Sequence, residues 1–298
     1  MNYRKLGKSN LQISEIGFGC MSLEENSNKN ELILEKAVDA GINFFDTADL
    51  YDKGSNEQLL GKAIKSVRKN VILASKVGNQ CKKDGTGWDW NPRKSYILQA
   101  VEESLIRLQT DYIDLYQLHG GTIDDPIDEV IEVFELLVEQ GKIRYYGISS
   151  IRPNVIREYA AKSNISSVMM QYSLMDRRPE ESCLELLENK QIGVLSRGGL
   201  AKGLLVSKSS KAYLNYSEEE VETIQSLIRE IDGLGTTSSK VALGFILNKK
   251  AISSAVVGIR TMNQLEEILN ASNGQKLRSE ELKILYDTIA PNYYENHR

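Results

Sequence analysis

Residues 42–51 read INFFDTADLY. The run opens with Ile42, Phe44 and Phe45, residue types that suit a strand packed on both faces. It then closes on Asp46, Asp49 and Tyr51, groups that a dry core tolerates only with polar partners. A strand written this way enters the interior and ends at a polar space.

The same design recurs along the chain. Apolar runs EIGFGCM (15–21), INFFDTA (42–48), VILASKV (71–77), IDLYQLH (113–119), IRYYGIS (143–149), SVMMQYS (167–173), IGVLSRG (192–198) and ISSAVVGI (252–259) alternate with longer amphipathic segments. Their near-continuous apolarity predicts strands of a parallel sheet covered on both sides. Between them, NELILEKAVDAG (30–41) places Leu32, Leu34, Ala37 and Val38 near one helical face and stops at Gly41. DPIDEVIEVFELLVEQG (125–141) carries Pro126 in its first turn, acids early and Gly141 as its stop. Eight strand–helix units without a Pro- or Ser-rich divider predict one α/β domain over residues 1–298, a closed (β/α)8 TIM barrel. A doubly wound open sheet is the alternative, but after the first strand GFGCMS supplies only Gly17 and Gly19 of its glycine fingerprint. Residues 1–14 predict an N-terminal β-hairpin turning near Gly7–Asn10, placed to plug the barrel floor. The interval 198–251 is long enough for an extra helix.

Composition narrows the function classes. The 298 residues carry a net charge of −4, with 41% apolar and 26% charged residues, which fits a folded globular chain. An acidic balance gives no support to nucleic-acid or membrane-surface binding. Cys20, Cys81 and Cys183 are odd in number and lack CxxC spacing, so they predict neither a disulfide framework nor a zinc site. The N-terminus leads into no apolar run, and the expected location is the cytoplasm. With only His119 and His297, a two-histidine metal centre inside the barrel is not expected.

In a barrel, the carboxyl ends of the strands face the active site. Those ends carry Asp46 and Tyr51, Lys76, His119, Ser149 and Ser150, Gln171, Arg197, and Gly258 with Arg260. Taken singly, each has an ordinary reading: a helix cap, a loop aromatic, a snorkelling lysine, a hydrogen-bonded histidine. Together they compose an acid that can protonate an oxygen. A phenol titrates near 10, and a nearby ammonium is expected to lower it; two units would take roughly 2.7 kcal/mol. Asp46 would hold Lys76 charged, and a neutral His119 would donate a hydrogen bond to a substrate oxygen.

The chain resembles the aldo-keto reductases. The resemblance runs through YRKLGKSNLQISEIGFGCM, GINFFDTADLYDKGSNEQLLGKAI, ILASKVG, DYIDLYQLHG, GKIRYYGISS, QYSLMDR, AKGLL and VVGIRTMNQLEEIL, in that order. It implies NADPH-dependent reduction of aldehydes or ketones, with Asp46, Tyr51, Lys76 and His119 as catalytic tetrad and Tyr51 as proton donor. It further implies Ser149 and Gln171 on the nicotinamide carboxamide, Arg197 beneath the ring, and Leu200, Lys202 and Leu204 along the pyrophosphate. Gly258, Arg260 and Gln264 would clamp the 2′-phosphate, since a helix start and a guanidinium both suit an anion. Arg197 stands where many relatives have an aromatic residue, Ser150 where an asparagine is common, and Ile268 where an asparagine often meets adenine; Glu267 is the remaining adenine contact. Trp88 and Trp90, in the irregular stretch 78–95, suit a cover over an apolar carbonyl substrate and equally a loop packed against its own helix. Two other readings use the same residues. One is a nicotinamide-binding redox sensor with little turnover; the other is a lyase in which Lys76 attacks a carbonyl.

Overall fold

In a computed structural model of the protein, the described residues are 1–23, 29–82, 84–232, 237–272 and 276–298. The expected loop over 78–95 therefore includes one position, residue 83, outside them.

Eight parallel strands close into a barrel: β3 (Ile16–Gly19), β4 (Phe44–Asp46), β5 (Ile72–Val77), β8 (Ile113–Leu118), β9 (Ile143–Ser149), β10 (Ser167–Gln171), β11 (Gly193–Arg197) and β12 (Ile252–Gly258). Each of the eight apolar runs contains one of them. β12 pairs with β3, so the last strand meets the first and leaves no barrel edge. Two short antiparallel pairs lie outside, β1 (Tyr3–Lys5) with β2 (Gln12–Ser14) and β6 (Asn79–Cys81) with β7 (Trp88–Trp90).

The outer layer comprises α1 (Asn30–Asp39), α2 (Ser55–Ile64), α3 (Lys94–Leu108), α4 (Ile127–Glu139), α5 (Pro153–Lys162), α6 (Cys183–Asn189), α7 (Glu218–Asp232), α8 (Ser238–Leu247), α9 (Met262–Ser272) and α10 (Ser279–Thr288). Two helices, α7 and α8, follow β11, which accounts for the long interval before β12. In α1 the buried face is Ile33, Leu34 and Ala37, whereas Leu32 is half exposed. Helical phase favours Ile33 over Leu32 because 33 and 37 lie one turn apart on the same face.

Two apolar layers hold the barrel. One lies between strands and helices; the other fills the interior with Phe44, Ala74, Leu115, Met169, Leu195 and Val256. The hairpin joins the inner layer through Leu6, Leu11 and Ile13, all buried. Its turn is so close to the floor that a Cβ on Gly7 (φ +53°) would sit 2.4 Å from the Ser166 carbonyl oxygen. A side chain there would lift the plug. No helix among the described residues is long and apolar enough to cross a membrane.

Candidate active site

Barrel pairing decides which strand ends meet. β4 lies beside β5, and β5 beside β8, with Lys76 in register with Gln117. Asp46, Lys76 and Gln117 are all buried, and the last two project into the barrel from neighbouring strands. The Lys76 ammonium donates to Asp46 Oδ2 at 2.6 Å, to the Thr47 carbonyl at 2.7 Å and to the Tyr51 hydroxyl at 3.3 Å. An ammonium has three protons, and all three are used. Gln117 Nε2 approaches the other Asp46 oxygen at 3.5 Å.

Tyr51 reaches this group because the chain turns sharply behind it. Asp52 and Lys53 adopt left-handed backbone angles (φ 48° and 55°) before α2 begins. Such conformations cost free energy in non-glycine residues and gather at functional sites. The Tyr51 and His119 rings meet edge to face, with centroids 5.9 Å apart. Past the end of β8, the His119 backbone N–H donates to the Val77 carbonyl at 2.7 Å, and Asn79 Nδ2 donates to the His119 carbonyl at 3.0 Å. Both bonds hold the His119 main chain, while the ring Nδ1 is buried with no hydrogen-bond partner among the described residues.

The electrostatics differ from the sequence expectation at one place. Burial works against the Lys76 ammonium, but Asp46 and Tyr51 outweigh it and hold Lys76 above the usual lysine range. Burial pushes the Asp46 carboxyl up, and Lys76 opposes the rise. The Tyr51 phenol is not lowered as expected. Burial raises it more than Lys76 lowers it, and Asp46 adds to the rise. The reason is that burial strips water from the phenolate, a cost larger than the stabilisation that Lys76 supplies. Tyr51 is consequently a fully protonated phenol at neutral pH. Burial, followed by Lys76 and Arg197, depresses His119 to about 3, so its ring is neutral.

A cavity of about 450 Å³ opens over this cluster, lined by Tyr51, Lys76, His119, Ser149, Arg152 and Arg197 among others. A second cavity of about 520 Å³ lies between the N-terminal hairpin and α8, away from these side chains. The remaining residues singled out in the sequence separate into distinct places. Gln171 and Arg197 are partners across β10 and β11, and Arg197 Nη1 donates to Gln171 Oε1 at 3.2 Å. The Gln171 amide donates to the Tyr213 hydroxyl at 3.1 Å. Ser149 and Ser150 are both buried beside the cavity, and the Ser150 hydroxyl accepts the Arg152 backbone N–H at 3.1 Å.

Gly258 ends β12, Arg260 and Gln264 follow it, and all three lie outside the cavity lining. There Gln264 Oε1 accepts the Arg260 backbone N–H at 3.1 Å. Gly258 has no room for a Cβ, which would come within 2.2 Å of Ser22 Oγ. Leu200 and Leu204 pack into the body of the protein, and Lys202 is exposed in a left-handed conformation. Glu267 accepts from the Ser239 hydroxyl, and Ile268 is buried in the outer core.

Trp88 and Trp90 are not among the residues lining the cavity, although Trp90 packs on Gly120, which is. Trp88 is half exposed in the β6–β7 pair. Trp90 donates to Asp125 Oδ1 at 2.9 Å and covers Gly78 and Gly120. Met21, Leu50 and Ile151 are apolar residues of the cavity lining. Gln117 was not singled out in the sequence, although its place two residues before His119 at the end of β8 was a signal for it. Arg152 carried no local signal; only the folded loop after β9 brings it to the cavity.

The sequence profile of the Aldo/keto reductase family matches residues 15–289. The chain belongs to the aldo-keto reductases. A relative in Bacillus subtilis (strain 168), the "Uncharacterized oxidoreductase YqkF", is 50% identical over 307 aligned residues and is matched over 100% of both chains. Aldo-keto reductase AKR11C1 from Bacillus halodurans, in its holo form, is 47% identical, with a TM-score of 0.95 over 100% of this chain and 99% of that one. The apo form of the same protein aligns with a TM-score of 0.86 over the same shares. Membership in the aldo-keto reductases indicates an oxidoreductase acting on small carbonyl compounds, with a nicotinamide cofactor.

Among the described residues, no group of three or more His, Cys, Asp and Glu side chains is arranged to hold a metal ion.

Proposed function

We propose that this aldo-keto reductase, one barrel domain over residues 1–298, reduces aldehydes or ketones to alcohols with NADPH, and that Tyr51 supplies the proton. The observation that carries this reading is the Asp46–Lys76–Tyr51 chain of contacts at 2.6 and 3.3 Å beside a neutral His119. The bound cofactor would supply the hydride, chemistry that no side chain performs unaided.

The residues present fit such a group. His119 Nδ1 is a buried polar atom with no partner among the described residues, Ser149 lines the cavity, and Arg260 lies just before the start of α9. Ser149, Gln171, Arg197, Leu200, Lys202, Gly258, Arg260, Gln264 and Glu267 would hold NADPH. Gln264 would exchange its contact with the Arg260 backbone for the ligand. A phosphate at that helix start would meet free N–H groups and a permanent positive charge.

Tyr51 is suited to donating because it is protonated at rest. As the substrate oxygen gains charge, Tyr51 passes its proton to that oxygen. The phenolate left behind is stabilised by the Lys76 ammonium already hydrogen-bonded to it. Asp46 keeps Lys76 charged and in place, and the neutral His119 orients the carbonyl by donating a hydrogen bond. Attack of Lys76 on a carbonyl is disfavoured, since its three protons are committed and no free amine is presented.

The test is NADPH oxidation with a reactive aromatic aldehyde by wild type and Tyr51→Phe. Loss of the general acid should lower turnover by roughly 10²–10⁴-fold. Equal turnover in the variant would refute Tyr51 as donor, whereas tight NADPH binding without turnover on any carbonyl would favour a redox sensor.

A further inference from the structure

Three cations and no carboxylate line the cavity over Tyr51: Lys76, Arg152 and Arg197. Lys76 is neutralised by Asp46 beneath it. The two arginines are not. Among the described residues neither Arg152 nor Arg197 forms an ion pair, whereas Arg68, Arg107, Arg144, Arg177 and Arg178 each sit against a carboxylate. Arg197 Nη1 is engaged by Gln171, and it is exposed at the end of β11. Arg152 is half-buried, and its Nη1 donates to the Gly121 carbonyl on the loop after β8. That bond fixes the guanidinium between two strand-end loops while leaving most of its five donors uncommitted. Met21, Leu50 and Ile151 give the same cavity an apolar wall.

We propose that the carbonyl substrate carries a carboxylate on an apolar body, and that Arg152 anchors this carboxylate. The proposal rests on the reductase reading above. A guanidinium recognises a carboxylate through paired N–H donors, and a partly buried fork held by a neighbouring carbonyl loses little freedom on binding. The apolar wall accepts the body of the molecule, and His119 with Tyr51 takes its carbonyl end. Substrates of this class are oxo-acids, such as an aldehyde separated from its carboxylate by an aryl or alkyl spacer.

The experiment compares 4-carboxybenzaldehyde with its neutral methyl ester, methyl 4-formylbenzoate, using NADPH and the full-length protein. The quantity read is the ratio of kcat/KM, acid over ester, in wild type, Arg152→Met, Arg152→Lys and Arg197→Met. The ratio should fall at least about tenfold (about 1.4 kcal/mol) in Arg152→Met, mainly through KM of the acid. Arg152→Lys should retain part of it. In wild type the ratio should also shrink as salt rises, because the pair is only partly buried; this arm needs no variant to fold.

An unchanged ratio in Arg152→Met overturns the proposal, as does a ratio insensitive to salt. A fall confined to Arg197→Met also overturns it by assigning the anchor to the other arginine. If wild type turns over neither compound, the reductase reading fails and takes the anchor with it. Turnover of both at an Arg152-independent ratio refutes the anchor alone.

Discussion

Two buried groups near the active site make opposite contributions to stability as pH falls. His119 is depressed to about 3 by burial and by Lys76 and Arg197. Asp49 is raised to about 7 by burial and by Glu57, although Tyr96 donates to its Oδ2 at 3.2 Å and Arg107 opposes the rise. An unfolded histidine binds its proton near 6.5, so below that pH the unfolded state takes up a proton that folded His119 refuses. The stability that neutral His119 contributes is therefore present above about pH 6.5 and is lost as pH falls toward 3. Asp49 has the other sign: its folded form binds a proton from about pH 7 downward, while the unfolded aspartate waits until about 3.9. Acid therefore relieves the cost of burying its charge.

Between pH 7 and 5, each group changes the unfolding free energy by about 2 kcal/mol, His119 downward and Asp49 upward. In wild type the two nearly cancel. Removing either should expose the other. His119→Gln should become more stable at pH 5 than at pH 7, relative to wild type, by about 2 kcal/mol, and Asp49→Asn less stable by a similar amount. Asparagine keeps an acceptor for Tyr96, which limits the packing change. Urea unfolding at both pH values, with the slope checked for constancy, reads the effect. The comparison between the two variants is most telling, since all other titrating groups are shared and their pH responses should diverge by roughly 4 kcal/mol. Parallel pH dependence in both variants would refute the assigned charge states.

Gly7→Ala should destabilise the fold by about 2–5 kcal/mol, from the left-handed backbone and from contact with the fixed Ser166 carbonyl. A denaturant midpoint equal to wild type would show that the hairpin does not seat as a plug. Arg260→Met should raise KM for NADPH about tenfold or more while changing KM for NADH far less, because only the former carries the 2′-phosphate. Equal increases for both cofactors would move the phosphate clamp away from Arg260.

The sequence by itself determined the strands, their parallel arrangement and the ends at which chemistry is gathered. These features are local or periodic. A strand buried on both faces must be apolar through its length, and INFFDTADLY shows where that requirement stops. The hairpin turn at Gly7 and the extra helix before β12 were legible for the same reason.

What only the tertiary structure decided concerns distance and burial. Asp46, Lys76 and Tyr51 lie within 30 residues of one another, but their contacts exist because β4 and β5 are adjacent and the backbone turns back at Asp52 and Lys53. The direction of the Tyr51 shift depended first on how much water the closed barrel removes, which outweighs Lys76, with the Asp46 charge adding to the rise. The partners of Trp90, Asp125 and the glycines beside it, lie on other loops and could not be read from its neighbours in the chain. Arg152 lies beyond the Ser149–Ser150 strand end, and its contact with Gly121 came from the loop after β8 folding beside it. Spacing along a chain fixes which side of a strand a residue faces; it does not fix which residue of another strand it will meet, or how dry that meeting place will be.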